Sequence, residues 1–333
     1  MSTLSTTHPT LMDVAKRLDP DGRIDTIVDI LAETNEVLPE MTMLEGNLPT
    51  GHRTTMRTGL PAPTWRKLYG GVQPSKSSTV QITDTTGMLE AYAEVDKALA
   101  DLNGNTAAFR LSEDRAHIEG INQEFASSLF YASEAYAPEE ITGFAPRYNS
   151  LSAENAENIV QESGITGQND CSSIWLVVWG PNTCHGIYPK GSQAGLQVED
   201  KGSVTIENVD GSGGRMEAYR THYRWDVGLT VRDWRYVVRV QFDSGTLTGD
   251  AASGANLIDL MTQAVEIPPS LTAGRAALYC NRRTKQFLRR QIVEKVSAST
   301  LTMDQIAGKH VMSFDGIPVR RVDAILNTES AVA

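Results

Sequence analysis

The stretch "GNLPTGHRTTMRTGLPAPTWRKLYGGVQPSKSST" (residues 46–79) decides how this chain is built, because it has no apolar face with which to bury itself. It contains nine glycine or proline residues in 34 positions, and these residues interrupt helices and strands. A structureless loop of this length is uncommon inside a compact domain, and such loops are usually functional or disordered. The sequence therefore predicts a projecting hairpin, named here the ribbon (46–79), that lies on some other surface.

Charge supports this interpretation of the ribbon. The ribbon contains five basic residues and no acidic residue, whereas residues 1–45 carry nine acidic and three basic residues. Helical spacing of apolar residues predicts two short helices, over 10–18 and 23–38, in this acidic segment. Together they indicate an N-terminal arm (1–45), and the opposite charges indicate that arm and ribbon of adjacent copies lie against each other.

A long helix is predicted from Glu113 to Tyr136. Ser112 is a suitable N-cap, and acidic residues follow it in the first turn, where the helix dipole favours them. Apolar residues fall on one narrow arc, and these are Ile118, Ile121, Phe125, Leu129 and Ala132. A single apolar stripe on so long a helix indicates that the helix lies across a sheet.

Strands dominate the region from 139 to 270. "SIWLVVWG" (173–180) is apolar on both faces and predicts a central strand. In "YRWDVGLTVRDWRYVVRVQF" (223–242) the apolar positions change from odd to even numbers, which predicts a bulge or bend near Arg232–Asp233. A short helix ends at Pro268–Pro269, and the chain closes with a strand, a helix and a hairpin turned at Asp315–Gly316. This mixture predicts an α+β fold.

The closing helix has one strongly basic face. Asn281 is a suitable N-cap, and five basic residues lie within nine positions: Arg282, Arg283, Lys285, Arg289 and Arg290. Three interpretations stay open, namely a solvated face, a nucleic-acid contact, and a contact with an acidic surface of another copy. Nucleic-acid binding would need a wider basic surface, and the net charge of −11 argues against one.

Catalytic and metal-binding patterns are weak. The three cysteines (Cys171, Cys184 and Cys280) are widely spaced, which indicates reduced thiols. Cys184 next to His185 suggests a thiol enzyme as an alternative, but no spacing supports it or a zinc site. We therefore expect no catalytic residue, no metal, no cofactor and no membrane span.

Several segments, in order, resemble the major capsid protein of tailed bacteriophages, the Hong Kong phage type of shell fold, in its podovirus-like branch. The quoted ribbon, preceded by "ILAETNEVLPEMTMLE" (30–45), is similar to the arm and extended loop of that family. "LSEDRAHIEGINQEFASSLFYAS" (111–133) is similar to its spine helix, and "GIYPKGSQAGLQVEDKG" (186–202) to part of its axial domain. "ALYCNRRTKQFLRRQ" (277–291) followed by "FDGIPVRRVDAIL" (314–326) resembles its closing strand, helix and strand.

The resemblance implies an organisation of the chain. It gives an N-terminal arm over 1–45 and an extended loop over 46–85. A peripheral domain follows over 86–145 and 311–333, with the spine helix at about 113–136, and an axial domain spans 146–310.

The resemblance also implies a function. Copies would form hexamers and pentamers of an icosahedral virion shell around double-stranded DNA, which is enclosed without specific binding. Scaffolding protein, portal and a decoration protein are the implied partners, and assembly would occur in the cytoplasm of the bacterial host. A non-viral compartment shell of the same fold is the alternative. The residues expected at contacts between subunits are Asp25, Asp29, Glu33, Arg53, Arg57, Trp65, Arg66, Lys67, Lys76, Arg282, Arg283 and Arg289.

Overall fold

The computed structural model describes residues 33–102, 106–207, 213–247, 255–294, 301–306 and 309–333. Within these ranges the strands are β1 (Met43–Glu45), β2 (Gly51–Gly59), β3 (Ser78–Asp96), β4 (Ile159–Gln161), β5 (Cys171–Trp179), β6 (Cys184–Tyr188), β7 (Gln197–Glu207), β8 (Arg215–Val231), β9 (Val237–Asp243), β10 (Arg275–Cys280), β11 (Leu301–Ile306), β12 (Lys309–Phe314) and β13 (Ile317–Arg321). The helices are α1 (Lys97–Ala100), α2 (Thr106–Tyr131), α3 (Phe144–Arg147), α4 (Leu257–Glu266) and α5 (Arg282–Glu294). Helices and strands are mixed without strict alternation, as the α+β prediction requires.

The thirteen described strands join into one sheet, nine of them in the order β11-β12-β13-β10-β5-β6-β8-β3-β2. The other four pair beside this path: β1 with β6, β7 with β8, β9 with β5, and β4 with β9. β5 lies in the interior of this sheet, with β10 antiparallel on one edge and β9 antiparallel on the other. Every residue of β5 is buried, because both faces of a central strand are covered. The prediction of a central strand at "SIWLVVWG" is therefore confirmed.

The sheet separates two apolar cores. Trp175, Val177 and Trp179 of β5 face the core formed with α2 and α3, whereas Ile174 and Leu176 face the core formed with α4 and α5. Successive side chains of a strand point to opposite faces, so one apolar run serves both cores. Helices therefore cover both faces of the middle of the sheet.

The bend predicted from the change of apolar parity in 223–242 is present, and it is a turn between two strands rather than a bulge within one. β8 ends at Val231, a short 3-10 turn covers Trp234–Tyr236, and β9 begins at Val237. The Asp233 side chain caps this turn by accepting a hydrogen bond from the backbone N–H of Arg235 at 3.1 Å. The turn re-aims the chain, so β8 serves the first core and β9 mainly the second.

The spine helix differs from its predicted limits. α2 spans Thr106–Tyr131 rather than 113–136, so Ser112 lies inside it and is not the N-cap. Phe109 is buried against Val95 and Ala100, and this contact extends the helix towards its N-terminus. Four of the five predicted core positions are buried, but Ile118 is exposed.

The end of the chain follows the sequence prediction closely. α4 ends at Glu266, just before the two prolines. The hairpin between β12 and β13 turns at Asp315 and Gly316, whose φ angles are 49° and 76°, as a two-residue turn of type I′ requires. The predicted helix over 10–18 and most of the predicted helix over 23–38 lie outside the described residues. The described end of the second one, 33–38, is not helical, because Asn35 forms an antiparallel bridge with Val322 and a turn follows.

Candidate inter-subunit surfaces

The ribbon is a long antiparallel hairpin. β2 and β3 pair from Gly51 opposite Thr85 to Gly59 opposite Ser78. The two legs stay side by side beyond the last pair, since Ser75 Oγ donates to the carbonyl oxygen of Ala62 at 3.1 Å. The hairpin prediction is therefore confirmed in form.

The side chains in the outer half of the ribbon are exposed to solvent. Residues 60–69 and 71–81 are all exposed, and among them Trp65 and Tyr69 reach 102% and 103% relative exposure. Leu60, Leu68 and Val72 are exposed as well. Contiguous exposed apolar side chains mark interaction sites, and a two-stranded hairpin is at best marginally stable alone. The ribbon therefore has the character of a surface made for a partner.

The tip of the ribbon holds an unfavourable backbone conformation. The backbone N–H of Gly70 donates to the carbonyl oxygen of Lys67 at 3.0 Å, closing a turn. Within this turn Tyr69 has φ 64°, a left-handed conformation that costs a residue with a Cβ about 1 kcal/mol. Such strain is typical of functional positions, where a further contact over-determines the geometry.

The five predicted basic residues of the ribbon are all exposed: Arg53, Arg57, Arg66, Lys67 and Lys76. None of them forms an ion pair with another residue in the described part of the chain. Arg53 donates from Nε to Thr83 Oγ1 at 3.2 Å across the hairpin. The positive charge of the ribbon is thus available to a partner.

The root of the ribbon is locked to the sheet by a buried polar cluster that the sequence did not reveal. Arg147 donates from Nη2 to Asp84 Oδ1 at 2.8 Å and to the carbonyl oxygen of Leu229 at 3.2 Å. His185, fully buried, packs edge-on against His52 with ring centroids 5.7 Å apart. Burial and then the neighbouring His52 lower the pKa of His185 to about 4, so this histidine is neutral near pH 7.

The described end of the arm lies against its own chain. Glu40 pairs with Arg320, with Oε1 and Nη2 2.5 Å apart, and Glu36 accepts a hydrogen bond from the backbone N–H of Arg321. The backbone N–H of Glu33 donates to Glu119 of α2. Asp25 and Asp29 lie outside the described residues. Two acidic groups of the arm are therefore engaged within the subunit.

The basic helix is partly neutralised within its own chain. Arg282 pairs with Asp323 at 3.1 Å, and Lys285 Nζ donates to the carbonyl oxygen of Val319 at 3.0 Å. Asn281 is the N-cap, accepting from the backbone N–H of Thr284 at 2.8 Å, as predicted. Arg283 and Arg289 are exposed.

A groove of about 760 Å³ lies between α5 and β13, and it contains arginines from both elements together with Glu36. Three of these arginines have acidic partners: Asp323 pairs with Arg282 and Arg321, and Glu40 pairs with Arg320. Arg289 forms no ion pair with a described residue, so the basic surface is partly neutralised, which does not favour a nucleic-acid contact at α5.

The structure does not bring the side chains of Cys184 and His185 together. Cys184 and His185 are consecutive in β6, so their side chains point to opposite faces of the sheet. Burial raises the pKa of the Cys184 thiol, whereas a nucleophilic cysteine needs a lowered pKa. The three cysteines are free and buried. Among the described residues no group of His, Cys, Asp and Glu has the arrangement of a metal site.

The helices in the described ranges include none long and apolar enough to cross a membrane.

Comparisons with known proteins found a family model and several capsid structures. A family model described as "Major capsid protein GP7" matches residues 19–333. A capsid structure of bacteriophage Epsilon15 is 37% identical, with 100% of this chain and 99% of that chain covered and a TM-score of 0.79. The bacteriophage JBD30 capsid is 10% identical, with 89% and 93% covered and a TM-score of 0.46. The capsid of a native GTA particle is 12% identical, with 68% and 95% covered and a TM-score of 0.45. None of the curated proteins matches the chain.

Proposed function

Because the chain belongs to the family of major capsid protein GP7 and is a shell subunit of a phage capsid, we propose that its copies form hexamers and pentamers. These would close an icosahedral head around double-stranded DNA. Scaffolding protein and portal are the proposed partners during assembly in the host cytoplasm, with a decoration protein on the finished shell. The family match favours a phage head over a non-viral compartment.

The ribbon is the single observation that carries this proposal. It presents Trp65 and Tyr69 fully exposed, the latter in a strained turn, and its basic side chains form no ion pair in the described part of the chain. Permanent interfaces bury roughly 2,000 Å² or more. A ribbon lying on the next subunit adds contact that the compact part of the subunit does not offer.

We propose that the chain is divided into segments that contact neighbouring copies and domains that form the body of the subunit. The arm (1–45) and the extended loop (46–85) contact neighbours. The peripheral domain (86–145 and 311–333) and the axial domain (146–310) form the body of the subunit. α2 supports the first core and α4 and α5 the second. The second core falls mainly within the proposed axial domain.

We further propose that the protein is structural and has no catalytic activity. The opposed faces of Cys184 and His185 support this, since a nucleophilic cysteine requires a nearby base. We also propose that the enclosed DNA has no specific site on the protein, and the partial neutralisation of the basic face of α5 supports this. The net charge of −11 keeps DNA from adhering to the shell as a whole.

Electron microscopy and native mass measurement of the purified chain, with and without its scaffolding protein, test the proposal. We expect rings of six and five copies and closed shells. A variant in which residues 60–77 are replaced by a short Gly-Ser linker should give folded subunits that fail to assemble. A wild-type chain that stays a compact monomer under all conditions would contradict the proposal.

A further inference from the structure

A small apolar pocket lies at the root of the ribbon, between α2, β3, β8 and the loop that follows α2. Its volume is about 220 Å³, below the roughly 300–1,000 Å³ of small-molecule sites, so it suits one large side chain. Apolar residues line it, namely Leu89, Phe125, Ile141 and Val227, of which the last three are buried. The pocket is therefore shaped for an aromatic or aliphatic anchor from another molecule.

Three glutamates line the same pocket: Glu124, Glu139 and Glu140. Glu124 and Glu139 are exposed and Glu140 is half-buried. None of the three forms an ion pair with a residue in the ranges that the structure describes. Tyr136, nearby in the same loop, is 94% exposed. An apolar pocket with acidic residues fits a partner in which an aromatic side chain is flanked by basic ones.

The tip of the ribbon has that composition. Trp65 is followed directly by Arg66 and Lys67, and all three are exposed. We propose that Trp65 of one copy inserts into this pocket of the adjacent copy, with Arg66 and Lys67 against its glutamates. Trp and Arg are the residues most often found as anchors of interfaces. This inference rests on the proposed function and names the surface that receives the ribbon.

The tip of a subunit cannot fill the pocket of the same subunit. The pocket is lined by Gly87, Met88 and Leu89 of β3, immediately beyond the last ribbon pair at Thr85. On β3 the paired part of the ribbon extends seven residue steps from Thr85 to Ser78, or about 24 Å at about 3.4 Å per residue, and the tip lies beyond it. The paired strands hold the tip away from its own root.

The contact is therefore head to tail. A surface at the tip of one copy meets a different surface at the root of the next, and such heterologous contacts close into rings when the rotation permits. A ring of six or five subunits would use one tip and one pocket for each copy. The inference thus predicts the connectivity of the contact as well as its residues.

Cysteine cross-linking in the assembled particle tests this connectivity. The variant Arg66→Cys/Glu139→Cys places one thiol at the tip and one beside the pocket, and the native cysteines are all buried. Under oxidation we expect covalent chains longer than dimers, up to the size of the ring, on a non-reducing gel. Reducing agent should return them to monomers.

A matched control is Arg66→Cys/Glu266→Cys, because Glu266 is an exposed glutamate at the end of α4, the helix that packs on the second core. We expect no ladder from this control. Particles that assemble normally but give only monomers, only dimers, or a ladder in the control as well would overturn this inference and leave the proposed function standing. Failure of the wild-type chain to assemble would instead defeat the proposed function.

Charge reversal gives an independent readout that does not need a disulfide. Glu139→Lys/Glu140→Lys should reduce the yield of particles severalfold while the circular dichroism of the subunit stays unchanged. Adding Arg66→Glu/Lys67→Glu to the same chain should restore the yield. Recovery supports the pairing, whereas a combined variant that assembles no better than the first would overturn it.

Discussion

Glu329 near the C-terminus should be the most sensitive single position for the stability of the subunit. Its carboxylate accepts from Arg239 Nη2 at 2.8 Å, and the two side chains are 4% and 5% exposed. The hydroxyls of Tyr131 and Ser173 donate to the same carboxylate. Arg239 in turn lies over the ring of Trp175, with its Cζ 5.2 Å from the ring centre.

The expected loss of stability follows from the buried charge that a substitution of Glu329 leaves unpaired. Glu329→Ala removes the only acidic partner of Arg239 among the described residues and leaves a buried guanidinium uncompensated. Breaking one side of a buried ion pair costs about 3–5 kcal/mol. We therefore expect the free energy of unfolding to fall by about that amount.

Urea unfolding of unassembled subunits, followed by tryptophan fluorescence, measures this loss. A matched control is Glu154→Ala, an exposed glutamate, which should change the free energy of unfolding by about 0.5 kcal/mol or less. The double variant Arg239→Met/Glu329→Leu should lose much less than the sum of its two single variants, because apolar residues of similar size replace both charges. A loss below about 1 kcal/mol for Glu329→Ala, or strict additivity in the double variant, would refute this reasoning.

Four further outcomes are expected. His185 has a pKa of about 4 in the folded chain against 6.5 unfolded. The free energy of unfolding should therefore be highest above pH 6.5 and fall by about 3 kcal/mol as the pH drops to 4. His185→Asn should flatten this dependence in urea titrations at several pH values. Gly316→Ala should lower the free energy of unfolding by about 1 kcal/mol, since Gly316 has φ 76°, and a thermal melt would detect it. Tyr69→Asn, which tolerates a left-handed conformation, should leave the melting temperature of the subunit unchanged or raised while reducing particle yield, as light scattering can show. Burial raises the pKa of Cys171 to about 11, so a thiol reagent at pH 8 should label it only after urea is added.

The sequence predicted most of the fold because its signals were local. The unbroken apolar run of β5, the parity change before β9 and the turn at Asp315–Gly316 each depend on neighbours along the chain. The start of α2 was missed because a tertiary contact decided it, namely Phe109 packing against Val95 and Ala100. Ser112 satisfied every local rule for an N-cap, and the apolar contact overrode it.

The surface could be predicted only in part. Composition identified the ribbon, since its lack of an apolar face and its excess of basic residues can be read directly from the amino-acid sequence. The pocket could not be predicted, because Phe125, Ile141 and Val227 come from a helix, the loop after it and a later strand, which only the fold brings together. The arm shows a further limit of composition: its net charge does not tell which acidic residues are engaged within the subunit, as Glu40 is with Arg320. The predicted contact of the arm with the ribbon of another copy stays a prediction.

These observations separate the stability of the subunit from the stability of the shell. The buried network of Glu329 and the two cores lie within one copy, whereas the outer ribbon contributes nothing to them because residues 60–69 and 71–81 are exposed. Changes at sites far apart and without shared partners add independently. Substitutions in the network should thus change unfolding of the free subunit, and substitutions at the ribbon tip should change assembly alone. A combined variant such as Glu329→Gln/Trp65→Ala should show both effects at their separate sizes, and a ribbon substitution that destabilised the free subunit would show that the ribbon had an intramolecular partner.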